Sequence, residues 1–250
     1  MIRTLLPAWT VARETTCELT GPELFEGERQ QVADALPLRR AEYATVRRLA
    51  RACLAGLDTP PVPLARGAGG APRWPAGTVG SMTHCRGYRA AAVARTRDAD
   101  GLGIDAEPRA PLPARVLDQV TSAAERAHLD ELGADGADLP WCRLLFSAKE
   151  SYYKVWYPAM RCWLGFDDAE VVIEHGLHSG GFVVRPVAGG VRRARRPGAF
   201  DPAATGFPAL RGRWAASADL VVTAIAAPAG SLPRPGQAGR TDTGTLRWAQ

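Results

Sequence analysis

The most constraining stretch of this chain is Gly101-Leu102-Gly103-Ile104-Asp105-Ala106-Glu107. Two permissive glycines flank a leucine, an isoleucine follows, and two carboxylates then stand two residues apart. Side chains at i and i+2 of a strand leave the same face, so a strand here delivers Asp105 and Glu107 to one place. Like charges at that spacing repel, and a hard divalent cation is a common way to relieve them. Taken alone, an Asp-x-Glu pair after an apolar run also reads as an exposed strand end. A second stretch, Phe146-Ser147-Ala148-Lys149-Glu150-Ser151-Tyr152-Tyr153-Lys154, adds a third carboxylate beside two cations. Together the two stretches read as a site for a metal and a polyphosphate.

Composition sharpens one part of this reading. Lys149 and Lys154 are the only lysines among 31 basic residues, the rest being arginine. A compact ammonium does not replace a planar guanidinium, so these two positions call for lysine chemistry. The net charge of +5 favours an anionic partner. No zinc finger, helix-turn-helix or aromatic RNA-binding motif is present, so nucleic acid is not expected. No apolar run approaches the ~20 residues of a membrane span. Five scattered cysteines with no Cys-x-x-Cys spacing argue for reduced thiols in a cytoplasmic protein and against a zinc site.

In chain order, residues 1–35 give weak signals, with some helical character over 23–35. A helix is expected over 39–57, where Tyr43, Val46, Ala50, Cys53, Leu54 and Leu57 recur at helical spacing. Arg40, Arg47 and Arg51 fall beside that apolar face, either as a solvated basic stripe or as a phosphate clamp. A Gly/Pro-rich loop over 66–75 leads to a strand at 78–84, where Ser81, Thr83 and His84 could face an anion. Residues 88–94 form the next strand, expected to pair with 102–107 as a hairpin or adjacent strand. Pro108, Pro111 and Pro113 mark the boundary between a first half, 1–108, and a second, 109–227. The second half starts with a mainly helical segment over 114–132 and a helix over 140–157. Strands follow near 171–173, 182–184, 210–214 and 220–225. His175 and His178 read as loop residues, and 228–250 as a disordered tail.

Gly80-Ser81-Met82-Thr83-His84, Gly103-Ile104-Asp105-Ala106-Glu107 and the Phe146–Lys154 stretch, in this order and spacing, resemble the Sfp-type 4′-phosphopantetheinyl transferases. Trp163-Leu164-Gly165-Phe166 and Arg211-Gly212-Arg213-Trp214 are similar to the EntD-like subgroup. The resemblance spans roughly 37–227. It implies an α+β fold, a pseudo-dimer of two similar halves with the site in the cleft between them. It also implies transfer of the 4′-phosphopantetheine arm of coenzyme A to a serine of an apo carrier protein, releasing 3′,5′-ADP.

By this resemblance Asp105, Glu107 and Glu150 hold Mg²⁺, with Mn²⁺ as a substitute. His84 and Thr83 lie at the coenzyme A phosphates, with Lys149 and Lys154 on the phosphates of the reacting centre. Arg39, Arg47 and Arg66 match positions that bind the nucleotide end. Glu150, Glu107 and Lys154 form the expected catalytic set, with Glu150, or Glu107 through a water, as base. Where relatives commonly carry a lysine and an acidic residue, Gly69 and Ala71 have neither. A monomer acting on carriers with an acidic helix, in fatty acid or secondary metabolite synthesis, is the expected context. Two rivals stand beside this reading: another Mg²⁺-dependent phosphoryl or nucleotidyl transferase, which lacks a supporting P-loop, and a non-catalytic carrier-protein-binding module.

Overall fold

A computed structural model describes residues 1–19, 24–134, 138–187 and 201–233. Two antiparallel sheets carry the fold. The first holds β1 (Val11–Thr15), β2 (Thr78–Cys85) and β3 (Tyr88–Arg95) in the order β1-β3-β2. The second holds β4 (Ala99–Pro108), β5 (Ala169–Ile173), β6 (Ser179–Pro186), β7 (Leu210–Ala216) and β8 (Leu220–Pro228) in the order β4-β8-β7-β6-β5. Six helices accompany them: α1 (Ile2–Leu5), α2 (Glu26–Gln30), α3 (Pro37–Ala55), α4 (Ala114–Val120), α5 (Ala123–Ala134) and α6 (Trp141–Met160).

The alanine-rich β3 explains how the sheets approach one another. Tyr88, Ala90, Ala92 and Ala94 face an inter-sheet core shared with Leu102, Ile104, Ala106, Val222 and Ala224. On the other face Ala91 and Val93 pack under Leu49, Ala50, Cys53 and Leu54 of α3. The far side of the second sheet packs on α6 through Leu144, Tyr152, Trp156, Phe182, Trp214, Val221 and Ile225. Each long helix thus covers the outer face of its own sheet, and apolar side chains removed from water there supply the main stabilisation.

Two expectations need correction. β4 does not pair with β3; its partner is β8, with Asp105 opposite Thr223 and Ile104 opposite Ala224. Both edges of β3 are already taken, by β2 and by β1, and β1 lies in the stretch that gave weak signals. The sheets therefore part at the turn over 96–98, and β4 joins the strands of the later chain. The helix expected over 114–132 is two helices. Ser122-Ala123-Ala124-Glu125 is a capping box in which Ser122 N donates to Glu125 Oε2 and Glu125 N donates to Ser122 Oγ.

The outer edge of β4 is sealed by side chains from the first sheet. Ser81 Oγ accepts from Ile104 N at 3.0 Å and Thr83 Oγ1 accepts from Ala106 N at 3.2 Å. An edge strand's amides would otherwise stand unpaired. At the other end, the chain runs past residue 228: Leu232 N donates to Asp100 Oδ2, and its side chain packs on the α6 core. Residues 234–250 of the expected tail lie outside the described residues.

Candidate active site

β4 turns one face toward α6, and that face reads Gly101, Gly103, Asp105, Glu107. A Cβ on Gly103 would stand 1.9 Å from the Ser151 carbonyl oxygen, and one on Gly101 2.9 Å from Val155 Cγ1. The glycines are therefore spatial necessities: they let the helix lie directly on the strand, which brings Glu150 and Lys154 to the two carboxylates.

Asp105 is buried and accepts three hydrogen bonds. Lys154 Nζ donates to Oδ1 at 2.8 Å and also to Ile104 O at 2.8 Å. Thr83 Oγ1 donates to Oδ1 at 3.2 Å, and Ser147 Oγ to Oδ2 at 2.8 Å. Glu107 accepts from Arg143 Nη1 at 2.9 Å, while Arg143 Nε and Nη2 hold Ala110 O and Pro111 O. Among the described residues no group donates to the half-buried Glu150.

The three carboxylates act on one another through space. Burial, and then the charge of Asp105, push the Glu150 carboxyl up to about 7, with Glu107 adding to the effect and Lys154 opposing it. Burial and Asp105 likewise push Glu107 up to about 7, against the pull of Arg143 and Lys154. Two carboxyls that titrate near neutrality beside a third mark a functional-site candidate. No group of three or more His, Cys, Asp or Glu side chains closes tightly enough to enclose a metal ion among the described residues.

Beside this acidic face lies a cationic one built by α3 and the β2–β3 hairpin. His84 Nε2 touches Arg39 Nη1. Glu42 stands 3.7 Å from both Arg39 and His84, and 3.3 Å from Arg89. Arg47 stacks on the Tyr43 ring at 3.6 Å, and Arg66 lies 5.5 Å from the same ring. Burial lowers Arg47 to about 10, with the Arg66 charge adding to the effect and Tyr43 opposing it. Burial, and then the charges of Arg39, Lys154, Arg89 and Arg47, drive His84 down to about 3, so its imidazole stays neutral. Buried Nε atoms of Arg47 and Arg89 have no hydrogen-bond partner among the described residues. Crowded cations with unanswered donors are the complement of a polyanion.

The structure thus groups Asp105, Glu107, Glu150 and Lys154 on one side, and Arg39, Arg47, Arg66 and His84 on the other. Two residues expected at the phosphates have other work. Lys149 Nζ is buried and donates, at 2.8 Å each, to Val120 O, Glu125 Oε2 and Phe166 O. An ammonium has three donors, so none remains for a ligand. Thr83 spends its hydroxyl on Ala106 N and Asp105; like Ser81, it supports β4. The arginine stripe divides too, since Arg51 pairs with Glu28 and Arg40 holds Ala33 O and Ala35 O. Gly69 has φ +62°, and a Cβ there would stand 2.0 Å from Tyr157 Cζ. The missing side chain makes room for α6.

Sequence reasoning missed Glu42, Arg143, Ser147 and Thr223. Glu42 and Ser147 had a usable signal: each lies three residues before or after a selected site residue on its own helix, hence on the same face. Arg143 and Thr223 become visible only once the loop after β4 and the β4–β8 pairing are known.

Known proteins match this sequence over most of its length. The model of the 4′-phosphopantetheinyl transferase N-terminal domain matches residues 27–94, and that of the 4′-phosphopantetheinyl transferase superfamily matches 101–183. 4′-Phosphopantetheinyl transferase Svp of Streptomyces mobaraensis is 48% identical over 241 residues, covering 92% of either chain. 4′-Phosphopantetheinyl transferase PptT of Mycobacterium tuberculosis is 42% identical over 79% of this chain and 83% of its own. 4′-Phosphopantetheinyl transferase Npt of Nocardia iowensis is 40% identical over 90% of this chain and 99% of its own. With two successive segments matched and relatives 40–48% identical over 79–92% of its length, the chain belongs to the 4′-phosphopantetheinyl transferases.

Proposed function

We propose that this chain moves the 4′-phosphopantetheine arm of coenzyme A onto a serine of an apo carrier protein, releasing 3′,5′-ADP. The observation that carries the reading is the pairing of the Asp105, Glu107, Glu150 and Lys154 face with the pocket of Arg39, Arg47, Arg66 and His84. Coenzyme A is a polyanion at its nucleotide end and carries the reacting pyrophosphate further along, so a cationic pocket beside a metal-holding face suits its charge. Arg39, Arg47 and Arg66 take the nucleotide-end phosphates, and His84, neutral, donates or accepts beside them without adding charge. Lys154, 2.8 Å from Asp105 Oδ1, would answer charge on the reacting phosphate.

The donor set fits a hard divalent cation. Asp105, Glu107 and Glu150 offer oxygen alone, and burial together with their mutual repulsion raises two of them toward neutrality, a cost that a cation would relieve. Mg²⁺, or Mn²⁺ in its place, would be held by these three carboxylates and would neutralise charge building on the pyrophosphate. Glu150 is the better base of the two expected, since Arg143 engages Glu107 and nothing donates to Glu150. In the transfer, the serine Oγ bonds to the β-phosphorus, its proton passes to a Glu150 oxygen, and the bond from that phosphorus to the 3′,5′-ADP oxygen breaks. Nothing among these observations favours the non-catalytic binding module. No helix among the described residues is long and apolar enough to cross a membrane, in keeping with action as a cytoplasmic monomer on carriers that present an acidic helix.

One assay tests the reading. The protein is incubated with coenzyme A, Mg²⁺ and an apo carrier protein, and the carrier is weighed by mass spectrometry. A gain of one phosphopantetheine is expected. A carrier that binds the protein but gains no mass refutes it.

A further inference from the structure

We propose that Thr223 is a positioning residue of the transfer reaction: through Ser147 it fixes the direction in which Asp105 presents its carboxylate. β8 reads Leu220-Val221-Val222-Thr223-Ala224-Ile225, an apolar strand with one hydroxyl in its middle. Thr223 is fully buried, so its hydroxyl costs stability unless it is bonded, and a valine would fill the same shape without that cost. It is directly opposite Asp105 in the β4–β8 register, so both side chains rise from the sheet beneath α6.

The hydroxyls there form a directed chain. Thr223 Oγ1 is 2.6 Å from Ser151 Oγ and 2.9 Å from Ser147 Oγ, and it donates to Ser147 O at 2.9 Å, its one proton lying between those two Ser147 oxygens. Ser147 Oγ donates to Asp105 Oδ2 at 2.8 Å. Each hydroxyl owns one proton, and a carboxylate only accepts. The proton of Ser147 therefore goes to Asp105, and a lone pair of its hydroxyl oxygen accepts the Thr223 proton shared with Ser147 O. A serine in a helix has a competing option, donating to the carbonyl four residues back, which for Ser147 belongs to Arg143. Thr223 tips Ser147 away from that option and onto Asp105. With Oδ2 held in this way and Oδ1 held by Lys154 and Thr83, the carboxylate has one orientation to offer.

This inference rests on the proposed role of Asp105 in holding Mg²⁺, and the test separates the two. The affinity for coenzyme A is measured by calorimetry with and without Mg²⁺, alongside the transfer kcat, in Thr223→Val, Thr223→Ser and Asp105→Asn. Thr223→Val is expected to cut the Mg²⁺-dependent gain in affinity about tenfold, the scale of one hydrogen bond to a charged group. Metal-free affinity should stay unchanged, and Thr223→Ser should restore the gain to within about twofold. Adding Thr223→Val to Asp105→Asn should cost nothing more, as for two residues acting through one contact. A Thr223→Val protein with the full gain, or a Thr223→Ser protein as impaired as Thr223→Val, overturns the proposal. If Thr223→Val fails to fold, Ser147→Ala carries the same expectation and the same refutation. An Asp105→Asn protein that keeps the gain overturns the Asp105 assignment itself, and this inference with it.

Discussion

The two halves of the molecule contain the same buried device, built with different cations. In the first, Glu28 of α2 accepts from Phe25 N at the start of its own helix, from Leu64 N of a distant segment, and from Arg51 of the long helix α3. In the second, Glu125 of α5 accepts from Ser122 N at the start of its helix, from Val171 N of β5, and from Lys149 of the long helix α6. The geometry repeats bond for bond. What differs is the fit of the cation. Arg51 leaves a buried Nη2 without a partner among the described residues, whereas Lys149 spends all three donors. Burial lowers Lys149, and Glu125 opposes that effect. The lesson concerns sequence adjacency. Lys149 and Glu150 are neighbours in the chain, but a helix turns 100° per residue, so one faces the interior clamp and the other the acidic face.

If Lys149 is the structural counterpart of Arg51, its loss should hurt the fold far more than the chemistry. Lys149→Met leaves Glu125 buried and unpaired, so urea denaturation should show a loss of about 3–5 kcal/mol. The folded fraction should keep kcat within a few-fold. A hundredfold fall in kcat at full stability would break the comparison. The reverse pattern is expected one residue on: Glu150→Ala and Asp105→Ala should each lower transfer at least ~10²-fold, the scale of losing an electrostatic catalytic element. Transfer at parental rates in saturating Mg²⁺ would remove either residue from the site.

On the cationic side the comparison predicts a split within one helix. Arg47→Leu should raise the KM for coenzyme A about tenfold, on the scale of a hydrogen bond to a charged group, with little change in kcat. Arg51→Leu should lower stability and leave KM alone; equal effects on KM would show that the stripe acts as a unit. The smallest effect is one of pH. Burial and the Asp105 charge push the folded Glu150 carboxyl up to about 7, above the 4.5 of a free glutamate. It binds its proton more tightly folded than unfolded, so its stabilising contribution is complete below about pH 4.5 and is lost as pH rises through 7. Without added metal, Glu150→Gln should therefore raise the melting temperature by a few degrees at pH 8. At pH 4.5 it should change little; a uniform shift at both values would show that proton linkage is not the cause.

The acidic face was legible because its determinants are local. The alternation of Gly101, Gly103, Asp105 and Glu107 and the helical spacing of Glu150 and Lys154 are periodic features of short segments. The roles of Lys149 and Thr83 were not, because each is decided by acceptors that arrive from far along the chain: Val120 and Phe166 for one, Ala106 for the other. The β3–β4 pairing failed for a related reason. A five-residue edge strand, β1, with only one buried side chain leaves almost no pattern, yet it occupies the position β4 would need. The capping box at Ser122 was readable, and overlooking it fused two helices into one.

The hydroxyls that seal β4 have a consequence for how the protein comes apart. Because Ser81 and Thr83 satisfy amides in a strand belonging to the other sheet, neither half closes its own surface. A fragment ending near residue 95 would present bare hydroxyls, and one starting near 99 an open row of amides ready to pair with any passing strand. The two matched segments are thus successive stretches of one cooperative body, and cutting between them should yield sticky pieces that regain order only in each other's company.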